Sequence, residues 1–490
     1  MDGSIDRRAF LAGAGAAGLS LAYGAGATRI ARAAGKASGP PIRGQVIRRG
    51  ASGFLQAAHV YNERFDGVLP NLVARAVDAS DVRTAVSWGV ANGVPLRARS
   101  GGHSYAGYST LSGGMVVDLR NLRGISVNTH NRTATIGAGS QLIDVYGALA
   151  ARGVTIPAGS CPSVGIAGHA TGGGMGLAGR QFGLTADNLL SAQIVTADGR
   201  LRTASAQSNP DLYWALRGGG GGNFGVVTSF TMRVHPVPRT VAGFIVTWPW
   251  SEAAEALAAW LGWAPHARSQ LTSIFHLNGG AGSTSVSVSG QYFGPASDLG
   301  GLLAQLTAVG GAHVSAGDLG YLQAQLMWAG CSHISMTACH TQGTRPGGTL
   351  QRENFQAKSD YVSSLLPAAA GQVLVNAVEA RASLPGSGAI LFDSYGGAIN
   401  QVQPAATAFV HRKVLCCMQY LSYNGGGSWL TSTHARMRPY VTGGAYVNYT
   451  DPGLNGWQTA YYGSNYPRLQ KIRREFDPHH YFNFPQAIGR

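Results

Sequence analysis

Two candidate nucleophiles stand out in the 490-residue chain, each set in a glycine-rich turn. His103 lies in Arg97-Ala98-Arg99-Ser100-Gly101-Gly102-His103-Ser104-Tyr105, and Cys161 follows 58 positions later in Gly159-Ser160-Cys161-Pro162. An imidazole and a thiol can each add to an electron-poor centre, and glycine turns let bare backbone approach a ligand. A third stretch, Tyr446-Val447-Asn448-Tyr449, places two phenols three positions apart. Oxidising an alcohol needs a base for the O–H proton, and a phenol with a pKa near its usual value of about 10 serves only when its anion is stabilised.

Other chemistries fit less well. Gly102-His103-Ser104-Tyr105-Ala106 approaches the GxSxG hydrolase elbow, but Ala106 stands where the second glycine belongs. The turn-rich residues 105–114 also offer no helix after the serine. Gly137-Ala138-Gly139 and the glycines of 218–222 do not form GxGxxG between a strand and a helix. There is no CxxC and no HExxH, so no metal site is expected. Of five cysteines, Cys331 and Cys339 are close enough in sequence to pair, which sequence alone leaves open, and Cys416 and Cys417 are adjacent. The net charge of +15 is scattered without a basic run, which argues against nucleic acid as a partner.

The positioning elements fall into blocks. Residues 1–33 read as a twin-arginine export signal: Arg7-Arg8, a short apolar run, then Ala31-Arg32-Ala33 as a cleavage site. That run is too short and glycine-rich to span a bilayer, so secretion without membrane anchoring is expected. Residues 34–67 form a lead-in. Residues 68–238 read as α/β, with strands at 72–77, 116–119, 125–127, 133–136, 194–196 and 225–231. A helix capped by Ser80 presents Val82, Ala85, Val86 and Val90, and a second covers 141–151. Over 239–438 the pattern turns to alternation, as in Ser283-Thr284-Ser285-Val286-Ser287-Val288-Ser289, which predicts an antiparallel sheet with one covered face. Residues 439–490 lack a core of their own and are expected to return to the first unit.

Four blocks occur in order: Arg99-Ser100-Gly101-Gly102-His103; Cys161-Pro162-Ser163-Val164-Gly165-Ile166-Ala167-Gly168-His169 with Gly172-Gly173-Gly174; Gly222-Asn223-Phe224-Gly225-Val226-Val227; and Tyr446-Val447-Asn448-Tyr449. Together they resemble the berberine bridge enzyme-like FAD-linked oxidases of the vanillyl-alcohol oxidase superfamily, from about residue 68 to the C-terminus. Within that group the chain is more similar to bacterial and fungal oxidases of sugars and glycosylated metabolites.

The resemblance implies an α+β fold: a two-part FAD-binding domain (68–238 plus 439–490) with an inserted antiparallel-sheet substrate domain (239–438) backed by helices. It implies FAD bonded to His103 at the flavin 8-methyl carbon and to Cys161 at ring carbon 6. Cofactor contacts are expected from Arg99, Ser100, Gly101, Gly102, Ser104, Val164, Gly165, Gly168, Val227 and Asn448. Tyr449 is the expected base with Tyr446 beside it, and the reverse order stays open. Tyr105 and Gln419 are expected to line the substrate side.

Two departures matter. Cys417 stands where plant relatives often carry a charged residue, and Met175 where many carry an aromatic. Val164, three after Cys161, goes with oxidase rather than dehydrogenase behaviour. The function so implied is hydride transfer from an alcohol, hemiacetal or lactol of a sugar or glycosylated metabolite to flavin N5, with dioxygen reduced to hydrogen peroxide. A dehydrogenase with another acceptor and a non-catalytic carbohydrate-binding flavoprotein are the alternatives. Expected partners are a small-molecule substrate and dioxygen. Oligomeric state is left open, with a monomer the working expectation.

Overall fold

The structure is a computed structural model that describes residues 39–490. The export signal read over 1–33 lies outside the described residues. No helix among the described residues is long and apolar enough to cross a membrane.

The chain opens with a four-stranded sheet in the order β1-β2-β4-β3. Its members are β1 (Gln45–Arg48), β2 (Leu72–Arg75), β3 (Leu96–Arg99) and β4 (Met115–Asp118). Strands β2, β3 and β4 run parallel. The crossover helix Ala79–Ala91 starts one turn-half earlier than its serine suggests. Asp78 is the N-cap, its side chain accepting from Asp81 N at 3.0 Å. Val82, Ala85 and Val86 are buried as their spacing predicts, while Val90 is 44% exposed and off that face. The carboxylate of Asp81 is itself buried, because it collects the amides of Arg43, Gly44 and Val77.

A five-stranded antiparallel sheet follows, in the order β5-β6-β10-β8-β9. It contains β5 (Ile125–Asn128), β6 (Thr133–Gly137), β8 (Leu189–Val195), β9 (Leu201–Ser205) and β10 (Val226–Arg233). The two-residue strands β7 (Val154–Thr155) and β11 (His235–Pro236) pair beside it. Apolar residues from these sheets share one core with Tyr461, Tyr462, Leu469, Ile472 and Phe482 of the C-terminal segment.

The inserted unit is a seven-stranded antiparallel sheet, β15-β12-β14-β13-β17-β18-β16. Its strands are β12 (Thr240–Trp248), β13 (Leu271–Gly280), β14 (Ser283–Tyr292), β15 (His313–Gly320), β16 (Phe355–Val362), β17 (Ser387–Ser394) and β18 (Cys416–Tyr423). Strands β13 and β14 join through Ala281-Gly282, both at positive φ (52° and 75°), as a two-residue hairpin turn demands. Period-two alternation then sorts the faces. Val286, Val288, Phe275, Leu277, Ile390, Phe392, Met418 and Tyr420 pack into a core with the helices Ala253–Trp263 and Ala368–Ala382. The opposite face looks back at the first unit.

Two buried arginines fasten the units together. Arg180 donates to the carbonyls of Tyr395 (3.0 Å), Leu271 (2.6 Å), Pro265 (3.1 Å) and Ala267 (2.7 Å). Burial lowers its pKa to about 10, which leaves it charged at neutral pH. Arg412 makes a two-pronged pair with Asp187, both bonds 2.7 Å. These contacts hold the polar face of the sheet over the glycine turns.

Candidate active site

A cavity of about 1110 Å³ lies between the glycine turns and the inner face of the inserted sheet. That exceeds the usual range for a small-molecule pocket, roughly 300–1,000 Å³, and has room for a dinucleotide together with a second ligand. His103 and Cys161 both line it, from the two turns that the sequence singles out. The turns touch backbone to backbone: a Cβ on Gly101 would collide with Gly165 N and the Ser163 carbonyl, and one on Gly165 with Ser100. Glycine at 101 and 165 therefore serves turn-to-turn packing. Gly168 differs. It is exposed to the cavity, and a Cβ there would meet nothing within 4 Å, so bare backbone faces the ligand space. A cavity of this size lined by two nucleophiles and by bare glycine fits a flat aromatic dinucleotide.

His103 is held on two sides. Tyr61 stacks on its ring, centroids 3.9 Å apart and planes at 19°. Its Nε2 lies 2.9 Å from Ser163 Oγ. Enclosure pushes the imidazole pKa down to about 3, so it is neutral and nucleophilic. Cys161 is exposed to the cavity beside Tyr61 and Tyr105, whose pKa values are raised first by burial and further by charges nearby, the thiol among them. Ser100 donates to the Ala138 carbonyl at 2.5 Å, and Ser104 Oγ accepts from Tyr108 N at 2.9 Å. Ser100, Gly102, Ser104, Val164 and Val227 all reach the cavity wall.

Arg99 does not. Its guanidinium turns away, donating to the carbonyls of Ala57, Ala58 and His59 and pairing with Asp118 at 3.0 Å. The physical reason is the parallel β3–β4 register, which sets Arg99 beside Asp118, a fully buried carboxylate that needs a cation. Arg97 is the arginine that lines the cavity.

The tyrosine segment forms a 3₁₀ turn, Val447–Tyr449, that brings both phenols to the cavity. Tyr446 is 2% exposed, and its oxygen accepts three bonds: from Gly174 N (3.0 Å), Met175 N (3.1 Å) and Asn448 Nδ2 (2.9 Å). Burial still pushes its pKa up, to about 12, against the pull of those donors. Asn448 also donates to the His169 carbonyl at 3.0 Å. Tyr449 is half-buried, with no hydrogen bond to its hydroxyl among the described residues. Burial and the nearby Asp393 raise its pKa well above 10. Its ring stacks on Tyr105 at 5.3 Å and 13°. Tyr105 Oη accepts from Gln419 Nε2 at 2.9 Å. Gln419 therefore anchors Tyr105 at the cavity wall.

Asp393 was invisible in the sequence reading. It lies one residue before the end of β17 in Ala389-Ile390-Leu391-Phe392-Asp393, where alternation sends Ala389, Leu391 and Asp393 to the cavity and Ile390 and Phe392 to the core. Burial raises its pKa to about 7. The signal available was a lone acid closing an apolar strand in a chain poor in acids. Tyr61 carried no signal at all, since it precedes the first motif by about forty residues. Beyond the cavity, Cys331 and Cys339 are disulfide-bonded.

Two family models match the chain. Residues 70–205 match the model of an FAD binding domain, and residues 445–489 a model described as berberine and berberine like. The chain is 31% identical over 462 residues to an uncharacterized FAD-linked oxidoreductase, YgaK, of Bacillus subtilis, covering 91% of this chain and 97% of that one. It is 30% identical over 466 residues to a xylooligosaccharide oxidase of Thermothelomyces thermophilus, covering 90% and 92%. Among solved structures, Physcomitrella patens BBE-like 1 matches with a TM-score of 0.84 at 33% identity, over 91% of this chain and 97% of that one.

Proposed function

This chain belongs to the berberine bridge enzyme-like family of FAD-linked oxidoreductases, and on that premise we propose that it is a secreted oxidase with FAD bonded to both His103 and Cys161. Its substrate is an alcohol, hemiacetal or lactol of a sugar or glycosylated metabolite. The observation that carries this is one cavity lined by His103 and Cys161 together with Tyr449, Tyr105, Gln419 and Asp393.

FAD, when bound, supplies the two-electron acceptor; the chain supplies everything else. His103 and Cys161 would hold the flavin, and bare backbone at Gly168 would leave it room. Arg97 offers a cation to the phosphates. The substrate hydroxyl meets Tyr449, which takes its proton as the carbon gives up a hydride. Tyr449 is a neutral phenol at that stage, so it takes the substrate proton while passing its own to Asp393, which is ionised above about pH 7. Tyr446, whose oxygen accepts from three donors that favour its anion, is the alternative base. Tyr105, fixed by Gln419, supports the Tyr449 ring by stacking. Asn278, Ser283, Ser285 and Ser289 give the far wall the hydroxyl and amide groups that suit a polyol. A relative named for xylooligosaccharide oxidation supports the sugar assignment. Val164 at the cavity wall supports dioxygen as acceptor, and the twin arginine supports export.

Acid denaturation tests the attachment. Flavin that stays with the precipitated protein supports it; complete release of FAD contradicts it.

A further inference from the structure

The covalent attachment to His103 needs more than a nucleophile, and the structure shows a hydroxyl chain that ends on its imidazole. Nε2 of His103 lies 2.9 Å from Ser163 Oγ, and Thr341 Oγ1 donates to that same oxygen at 2.8 Å. Ser163 and Thr341 are each 2% exposed, so no bulk water substitutes for either. The Ser163 contact is the only hydrogen bond of His103 among the described residues. Thr341 is held from outside the turns. It lies two residues past the Cys331–Cys339 disulfide, next to His340, whose Nε2 lies 3.0 Å from Asp144 of the helix Leu142–Ala150.

We propose that Ser163, backed by Thr341, is the positioning residue that makes Nδ1 of His103 the nucleophile for flavin attachment. The proposal rests on the reading that His103 carries FAD. A neutral imidazole has one proton and one lone pair. With the proton on Nε2 and directed to Ser163, the lone pair stays on Nδ1, which has no hydrogen-bond partner among the described residues. Bond formation joins Nδ1 to the flavin 8-methyl carbon. That carbon loses one proton, and the imidazole loses its Nε2 proton. The electron pair of the broken C–H bond passes to the isoalloxazine and then to dioxygen, which takes both protons and leaves as hydrogen peroxide. Afterwards Nε2 holds a lone pair, and Ser163 reverses its role: it donates to Nε2 while accepting from Thr341. A hydroxyl serves both stages. Enclosure, which holds the imidazole pKa near 3, makes shedding that proton obligatory, since a buried imidazolium would be costly.

The test uses the full chain with Cys161→Ser, so that only His103 can bond the cofactor. Visible flavin absorption before acid gives total FAD bound; flavin retained after acid precipitation, checked by intact mass, gives the bonded fraction. The Cys161→Ser protein retains its flavin. Adding Ser163→Ala leaves FAD bound but lowers the retained fraction by about tenfold or more, since a lost proton relay slows the attachment by on the order of 10²–10⁴. Ser163→Thr restores it, and Thr341→Val, outside the glycine turn, lowers it in the same direction. Full retention in both Ser163→Ala and Thr341→Val overturns the proposal while leaving the His103 bond intact. Complete release from the Cys161→Ser parent overturns the His103 bond itself and the proposal with it.

Discussion

Asp393 sits directly opposite Cys417 across the antiparallel β17–β18 pair. The resemblance would place a charged residue at 417, and this chain has a buried thiol there instead. The carboxylate comes from the neighbouring strand, at the same level of the sheet, and reaches the cavity beside Tyr449. Charge has moved one strand sideways without leaving the site.

That carboxylate sets a pH dependence. Its folded pKa of about 7 lies above the ordinary carboxylate value, so the folded state binds the proton more tightly than the unfolded chain. Stability from this group is present below about pH 4 and is lost as pH rises through 7. Asp393→Asn should therefore raise the free energy of unfolding at pH values above 7, by on the order of 1–3 kcal/mol, and change it little at pH 4. The same variant should lose the rising limb of kcat/KM centred near pH 7. A gain equal at pH 4 and pH 8 would contradict the assignment.

Tyr449 and Tyr446 should separate cleanly. Tyr449→Phe keeps the ring stack on Tyr105 and removes only the hydroxyl. Its flavin reduction rate should fall by roughly 10²–10⁴, with substrate dissociation changed far less. Tyr446→Phe strips the acceptor from Gly174 N, Met175 N and Asn448, so its effect should appear as lower stability, about 1–3 kcal/mol. Rapid-reaction kinetics and denaturation curves on both variants check this.

Arg99 should behave as a structural residue. Arg99→Met removes the donor to three carbonyls and one of the cations around Asp118, with Arg120 still 2.8 Å away. The expected loss is about 2–4 kcal/mol of stability. The flavin content of the protein that does fold should stay near wild type. A flavin-free but fully stable variant would return Arg99 to the cofactor contacts.

The glycines should divide by what they face. Gly168→Val fills ligand space and should block FAD binding with little change in the unfolding midpoint of the cofactor-free protein. Gly101→Ala collides with Gly165 and Ser163 and should destabilise the fold itself. Flavin-to-protein absorbance ratio and unfolding midpoint, measured together, distinguish the two.

These contrasts mark where sequence was legible. His103, Cys161 and the Tyr446–Tyr449 pair were readable because local glycine or aromatic motifs carry them. The inserted sheet was readable as a sheet because Ser283 to Tyr292 alternates. Asp393 and Tyr61 were not, because their neighbours come from elsewhere: Asp393 meets Ile274, 119 positions earlier, through β13–β17 pairing, and Tyr61 meets His103 by stacking between segments. Strand register across such separations leaves no local trace. Arg99 misled for the same reason, since Asp118 is its partner only once β3 and β4 align.

The most direct measurement is anaerobic mixing of the purified protein with sugars that have a free reducing end, xylooligosaccharides among them, while the visible flavin band is followed. The account predicts that the band bleaches with an effective sugar and returns on admission of air with release of hydrogen peroxide, and that Tyr449→Phe bleaches far more slowly. A flavin that stays oxidised with every alcohol and sugar offered would contradict it.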